Sequence, residues 1–402
     1  MHRMNAHPQP QACPSAFAAG REIGRYGSAE AGPTLVATGG LHGNEPGGVV
    51  ALGRVFRELA ERKPAMKGQL LGLVGNSCAL ARSTRFVDED MNRVWTKAGV
   101  EALRRQDPSQ DHSEQREQRE LLAILDPLLA AAAANPRRRA MLLDLHSTSG
   151  GGPPFIVMGD TLQNRELAFA LKAPVLLGLE ENIEGTLIEY FAAGGNVAVV
   201  LEGGQNEDPR TADNHESALW IALVACGLLD AAQVPDLARH TARLAAAASG
   251  VPGVIEVVHR HDIAPENETN FRMLPGLKGF MQIEKGRLLA HDGPHAQAQV
   301  TAPFSGVLLM PRYQPKGLDG FFMGKTIEPF WLRVSAVLRK LRMERVISLL
   351  PGVHENHHGP NTLAVDPKIA RFFTLEFFHL LGYRKHVEHE QRLVFSRRND
   401  RL

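Results

Sequence analysis

The sequence predicts an α/β protein. Apolar runs that read as buried strands recur, among them Thr34-Leu35-Val36-Ala37-Thr38, residues 141–145 and Val197-Ala198-Val199-Val200-Leu201. Segments with apolar residues at helical spacing lie between them, such as Val49, Leu52, Val55, Phe56 and Leu59. Two of these runs lead directly into polar, glycine-rich loops that carry histidine, and the carboxyl ends of strands are where open α/β sheets hold ligands.

In chain order, residues 1–20 are rich in Pro, Gln, Ala and His and read as a disordered tail. Ile23-Gly24-Arg25-Tyr26-Gly27 reads as an edge strand. Strand 34–38, a glycine-rich turn and its helix follow, then a strand at 69–75 that leads through Asn76 into a charged loop. Residues 104–117 are highly polar and read as an exposed insertion, and helical patterning covers 118–134. Asp126-Pro127 breaks that region and reads as the cap and first residue of a new helix. Strands at 141–145, 155–158, 174–177 and 197–201 and a helix at 217–229 complete an α/β domain over residues 21–250. Gly and Pro then punctuate short strand-like runs, predicting a small all-β domain over 251–325. Residues 326–402 form an α+β extension with a basic amphipathic helix at 331–350, a second helix at 367–381 and a hairpin at 383–397.

The 402 residues exceed the usual size of one domain, and 44% hydrophobic with 22% charged residues is ordinary globular composition. A formal net charge of +1 gives no reason to expect nucleic acid or membrane as a partner. The basic helix is accordingly read as packing against the protein. Cys13, Cys78 and Cys226 are few and far apart, which argues against a disulfide framework. With no secretory signal and no run of membrane-spanning length, the expected setting is the cytoplasm, and oligomerisation is left open.

The chemistry concentrates in Gly39-Gly40-Leu41-His42-Gly43-Asn44-Glu45-Pro46, which places an imidazole and a carboxylate three residues apart at a strand end. Zinc takes both donor types, and catalytic sites use three protein ligands. His146, ending the strand 141–145, is the best third ligand. Taken singly, His42 reads as a loop residue, Glu45 as a helix-start carboxylate and His146 as a satisfied strand-end histidine.

His42-Gly43-Asn44-Glu45, Arg85-Phe86-Val87-Asp88-Glu89-Asp90-Met91-Asn92-Arg93, Asp144-Leu145-His146 and Leu201-Glu202-Gly203-Gly204-Gln205 occur in that order. Together they resemble the signatures of the succinylglutamate desuccinylase/aspartoacylase family, over roughly residues 20–325. The resemblance implies a zinc-carboxypeptidase-like mixed sheet flanked by helices, with one Zn2+ per chain held by His42, Glu45 and His146. It further implies hydrolysis of the amide of a small N-acyl amino acid or related acyl-amide. Glu202, at a strand end facing the same crevice, is expected to be the general base. Arg85 suits polarisation of the scissile carbonyl, and Asn92 with Arg93 suits a substrate carboxylate. Read from residues alone, the same loop is equally a solvated charged stretch. Asp144, two residues before His146, faces the same side of the strand and orients either a ligand or the loop.

One departure bears on substrate. Members acting on acylated acidic amino acids carry an arginine about ten residues before the catalytic Glu, where this chain has Ala192. From Glu180 to Glu202 there is no Lys or Arg. An acyl-amide with a neutral or basic amine half is therefore expected. The rival readings are a metallocarboxypeptidase-like peptidase, favoured by an open groove, and a zinc-binding protein acting through its C-terminal extension. The lack of Gly-x-Ser-x-Gly argues against a serine hydrolase. His354, His357 and His358 could form a second metal site but read as an exposed loop.

Overall fold

The structure is a computed structural model that describes residues 20–343, 353–355, 362–365, 381–389 and 392–397. The elements are, in order, β1 (Glu22–Gly27), β2 (Thr34–Gly39), α1 (Gly47–Arg62), β3 (Gln69–Val74), α2 (Ser77–Ala81), α3 (Lys97–Arg105), α4 (Ser113–Ala134), β4 (Ala140–Thr148), β5 (Phe155–Met158), α5 (Leu162–Ala170), β6 (Val175–Leu177), α6 (Leu187–Ala192), β7 (Val197–Gln205), α7 (Pro209–Ala225) and α8 (Leu237–Ala247). Then come β8 (Val254–Asp262), β9 (Arg272–Met273), β10 (Gln282–Ile283), β11 (Leu288–Asp292), β12 (Ala298–Thr301), β13 (Gly306–Leu309), β14 (Asp319–Thr326), α9 (Pro329–Lys340) and four strands, β15 (Val353–Glu355), β16 (Thr362–Val365), β17 (Tyr383–His389) and β18 (Arg392–Arg397).

The mixed α/β fold expected from the sequence is present. Eleven strands form one sheet in the order β1-β3-β2-β4-β7-β5-β6-β8-β14-β13-β10, in which β3, β2, β4 and β7 are parallel to one another and β1 and β5 flank them antiparallel. Their alternation divides the core. Leu35, Ala37, Leu143, Leu145, Val199 and Leu201 face one layer with Leu52, Val55 and Leu59 of α1. Val36, Leu142, Ala198 and Val200 face the other with Leu121 and Leu125 of α4. Each fully buried side chain of α1 contributes about 1.5–3 kcal/mol, so the sheet holds this helix more than its own propensity does.

Four differences from the sequence reading have physical causes. Residues 104–117 are not an exposed insertion: Asp111, Ser113, Glu114 and Glu117 are buried, because the carboxylates of Glu114 and Glu117 accept backbone N–H groups from neighbouring loops. α4 runs unbroken through Pro127. Ala123 is exposed, so the carbonyl that proline cannot serve can reach water. The main sheet does not stop at residue 250, because β8 pairs in parallel with β6 (Val175↔Val254) and β14, β13 and β10 follow it. Within residues 251–325 the strands β12-β11-β9 form a separate small sheet over their own apolar cluster, and β15-β16-β18-β17 form another beyond them. Cys78 is in a disulfide, against the expectation from cysteine usage, whereas Cys226 is a buried free thiol.

The basic helix is seen as α9, and β17 pairs with β18 as an antiparallel hairpin. The tail 1–19, the segment 344–350, nearly all of the helix expected at 367–381, and His357 and His358 lie outside the described residues. Among the described residues no helix is long and apolar enough to cross a membrane.

Candidate active site

Parallel strands bring their carboxyl ends to one edge of the sheet, and here β2, β4 and β7 do so side by side. His146 and Glu202 are directly paired across β4 and β7. Both have the opposite parity to Leu145 and Leu201, so their side chains leave the sheet on the face away from α1. The turn after β2 supplies His42 and Glu45, both 3% exposed. Gly43 fixes that turn, because a Cβ there would lie 1.9 Å from the Ala79 carbonyl carbon. The Gly43 N–H donates to the Arg85 carbonyl at 3.2 Å, tying the turn to the charged loop.

The three expected ligands converge. Nδ1 of His42 lies 2.9 Å from Glu45 Oε1, and Nδ1 of His146 lies 3.0 Å from Glu45 Oε2. Each far ring nitrogen is held by another carboxylate: His42 Nε2 is 3.1 Å from Asp90 Oδ1, and His146 Nε2 is 3.0 Å from Asp144 Oδ2. Thr38 Oγ1 donates to Asp144 Oδ1, and Arg85 donates through Nε (3.0 Å) and Nη2 (2.9 Å) to Asp90 Oδ2. The outer carboxylates fix both rings so that their Nδ1 atoms face one point. This is the arrangement that orients metal-binding imidazoles.

Charge supports the same fit. Glu45, Asp90 and Asp144 are three carboxylates in a buried cluster, and the guanidinium paired with them is that of Arg85, 3.6 Å from Glu45 through Nη1, with Arg93 farther out and paired with Asp319. Uncompensated buried charge is costly, and a divalent cation between the ligands would balance the remaining two. Without it protons must do so. Burial works to raise the Glu45 carboxyl, but His42 and His146 pull it below its ordinary range. Burial likewise opposes charge on His146, yet Asp144 and Glu45 lift its imidazole well above the usual value.

Glu202 faces this cluster across a cavity of about 130 Å³. Its Oε2 is enclosed and makes no hydrogen bond. Burial pushes its carboxyl up to about 8, with His146 and Arg85 pulling the other way. Arg85, Asn92 and Arg93 line the same cavity, so all seven residues singled out in the sequence are brought together. Their hands are partly full. Asn92 Oδ1 accepts from Leu187 N (3.0 Å), and Arg93 donates to the Asn92 carbonyl (2.7 Å) and to Asp319 (2.5 Å). Of the three acids in that loop, only Asp90 meets Arg85; Asp88 accepts from Ser113 N, and Glu89 meets His112.

Several residues have roles at the site that the sequence did not indicate. Asp90 joins His42 to Arg85. Glu114, fully buried, accepts from Val87, Asp88 and Glu89 N and so holds the charged loop. His215 on α7 lies 2.8 Å from the His146 carbonyl through Nε2, and burial pushes its imidazole down to about 4, leaving it neutral. Gly203 makes room for that ring, because a Cβ there would sit 2.4 Å from His215 Nε2. Asp319, Arg312 and Phe322 wall the cavity from the C-terminal strands.

Fold and relatives together define an α/β deacylase. Residues 31–220 match the succinylglutamate desuccinylase/aspartoacylase catalytic domain. The succinylglutamate desuccinylase of Pseudomonas putida is 32% identical over 284 residues, covering 66% of this chain and 75% of that protein. The enzyme of the same name from Shewanella putrefaciens is 23% identical over 276 residues, or 65% of this chain and 74% of that one. A solved succinylglutamate desuccinylase/aspartoacylase from Rhodobacter sphaeroides shares the fold with a TM-score of 0.54 at 18% identity, over 76% of this chain and 87% of its own. The chain belongs to the succinylglutamate desuccinylase/aspartoacylase family, whose members are hydrolytic deacylases.

Proposed function

We propose that this chain is a zinc-dependent deacylase that hydrolyses the amide of a small N-acyl amino acid or related acyl-amide. The observation that carries the reading is the convergence of His42 Nδ1, Glu45 and His146 Nδ1 opposite the unpartnered Oε2 of Glu202. A zinc ion held by those three would supply Lewis acidity and lower the pKa of water to about 7.

Glu202 takes the proton of the attacking water and returns it to the leaving amine. Its enclosed oxygen has no competing donor, so the carboxylate is aimed but unsatisfied until water or amine arrives. Arg85 spends Nε and Nη2 on Asp90, which leaves Nη1 turned toward the cluster to polarise the scissile carbonyl. Asn92 Nδ2 and the remaining donors of Arg93 face the amine half of the substrate. Val157, Leu179, Ile183, Val200 and Phe322 make much of the remaining wall apolar. Together with Ala192 in place of an arginine, this supports an amine half that is neutral or basic. The small cavity, walled by residues 310–322, supports a small acyl-amide over a peptide.

The test is metal content by elemental analysis with hydrolysis of N-acyl amino acids, for wild type and Glu202→Gln. One zinc per chain in both and a loss of about 10²–10⁴-fold in kcat for the variant are expected. Activity rises with pH through an apparent pKa below about 8, because a bound cation adds to the pull on Glu202. Full activity in the variant would overturn the base assignment, and an active zinc-free enzyme would overturn the metal.

A further inference from the structure

The end of the cavity that would receive the amine half already contains a carboxylate of the protein. Asp319, the first residue of β14, places Oδ2 2.5 Å from Arg93 Nη2 and Oδ1 2.6 Å from Arg260 Nε. β14 and β8 are antiparallel neighbours, so Asp319 and Arg260 are set by sheet register. Arg93 also donates through Nη1 to the Asn92 carbonyl. We propose that Asp319 determines specificity by occupying Arg93, so that substrates whose amine half bears a second carboxylate are excluded and N-acyl amino acids with uncharged side chains are accepted. This rests on the deacylase reading above and narrows its substrate.

The other cations on the wall do not restore an acid-binding end. Arg85 is paired through two nitrogens with Asp90. Arg312 donates from Nη1 to the Gly317 carbonyl and from Nη2 to the Glu268 carbonyl at 2.7 Å, with its guanidinium carbon 5.0 Å from the Phe271 ring centre. A second substrate carboxylate would therefore sit beside Asp319, where the described residues leave single donors such as Arg312 Nε rather than a guanidinium fork free of a carboxylate or carbonyl, and like charges brought together across a binding surface cost several kcal/mol. An uncharged side chain instead meets Leu179, Ile183 and Phe322. Specificity here comes from an unfavourable contact with the wrong substrate as much as from a favourable one with the right substrate.

The test compares kcat/KM of the zinc-loaded protein for N-acetyl-L-leucine and N-acetyl-L-aspartate, in wild type and Asp319→Asn, with calorimetric binding of free leucine and aspartate alongside. Wild type is expected to favour the leucine derivative by at least about tenfold, and Asp319→Asn to shift that ratio toward the aspartate derivative by about tenfold or more. Wild type favouring the aspartate derivative, or a ratio within about twofold of wild type in the variant, would overturn the proposal. If Asp319→Asn does not fold, the wild-type preference and the two wild-type affinities decide it. Should wild type hydrolyse neither compound, the deacylase reading fails, while tighter binding of leucine than of aspartate would still support the role of Asp319 and the reverse order would overturn it.

Discussion

Glu114 offers the sharpest test of how the site is held in place. Its carboxylate is fully buried and accepts four hydrogen bonds, from Asn76 Nδ2 (3.0 Å) and Val87 N (2.7 Å) on Oε1 and from Asp88 N (2.9 Å) and Glu89 N (3.3 Å) on Oε2. Glu114→Gln keeps the shape but retains one acceptor oxygen. Whichever way the amide turns, two of the four donors then meet an NH2 group. Each buried donor left unsatisfied costs about 1–3 kcal/mol, so the change costs roughly 2–6 kcal/mol before relaxation. The strain falls first on the loop that carries Arg85, Asp90, Asn92 and Arg93, and reaches the ligands through Asp90 beside His42 and through the Arg85 carbonyl on Gly43. Zinc content at saturating metal is expected to match wild type, because all three ligand side chains remain, while kcat/KM falls about 100-fold, the effect of roughly 1 Å of misplacement in a reacting group. Its Tm is expected to fall by about 5 °C or more, at about 2–4 °C per kcal/mol. Elemental analysis, steady-state hydrolysis and thermal melting read these three outcomes. A Tm within about 1 °C and a kcat/KM within about twofold of wild type would show that the loop does not depend on this carboxylate, and the reasoning would fail.

Asp144→Asn leaves the Thr38 and His146 contacts sterically intact but removes the charge behind the His146 ring, and zinc affinity measured by chelator competition is expected to weaken by about 10–100-fold. His215 gives a pH signature. Its folded pKa of about 4 lies below the ordinary 6.5, so the unfolded chain binds more protons between these values and stability is lost as pH falls from 6.5 toward 4. His215→Gln can still donate to the His146 carbonyl but does not titrate. The metal-free variant, compared with metal-free wild type by denaturant unfolding, should gain relative stability across that window; a constant difference would refute a neutral, buried His215.

What could be read from the sequence was what depends on neighbours in sequence or on strand parity. His42 and Glu45 share one turn. His146 and Glu202 each follow an apolar run, and alternation alone puts both on the face opposite Leu145 and Leu201. Glu114 was opaque because Ser113-Glu114-Gln115-Arg116 has the composition of a solvated helix start, and its burial comes from N–H groups some 25 residues away. Pro127 misled because the cost of a proline inside a helix depends on whether the carbonyl it abandons can reach water. The continuity of the sheet past residue 253 was hidden as well, because a parallel pairing such as Val175↔Val254 leaves no local mark.

The contact between Arg93 and Asp319 spans 226 residues and carries the most functional weight of the unread features. Its position follows from the way the sheet is assembled. The ligands and Glu202 sit on the central parallel strands, whose register is fixed by a core on both faces. Asp319, Arg312 and Phe322 come from the later segment, where β14 pairs antiparallel with β8 at the end of the same sheet. Chemistry and amine-half recognition are thereby placed on different stretches of chain that meet at one cavity. A substitution at Asp319 can alter which substrate enters without displacing His42, Glu45 or His146, because Asp319 reaches the site through Arg93, and the contacts that join the ligand loops to the later segment, Asn44 with Gln314 and Ser149 with Tyr313, do not involve it.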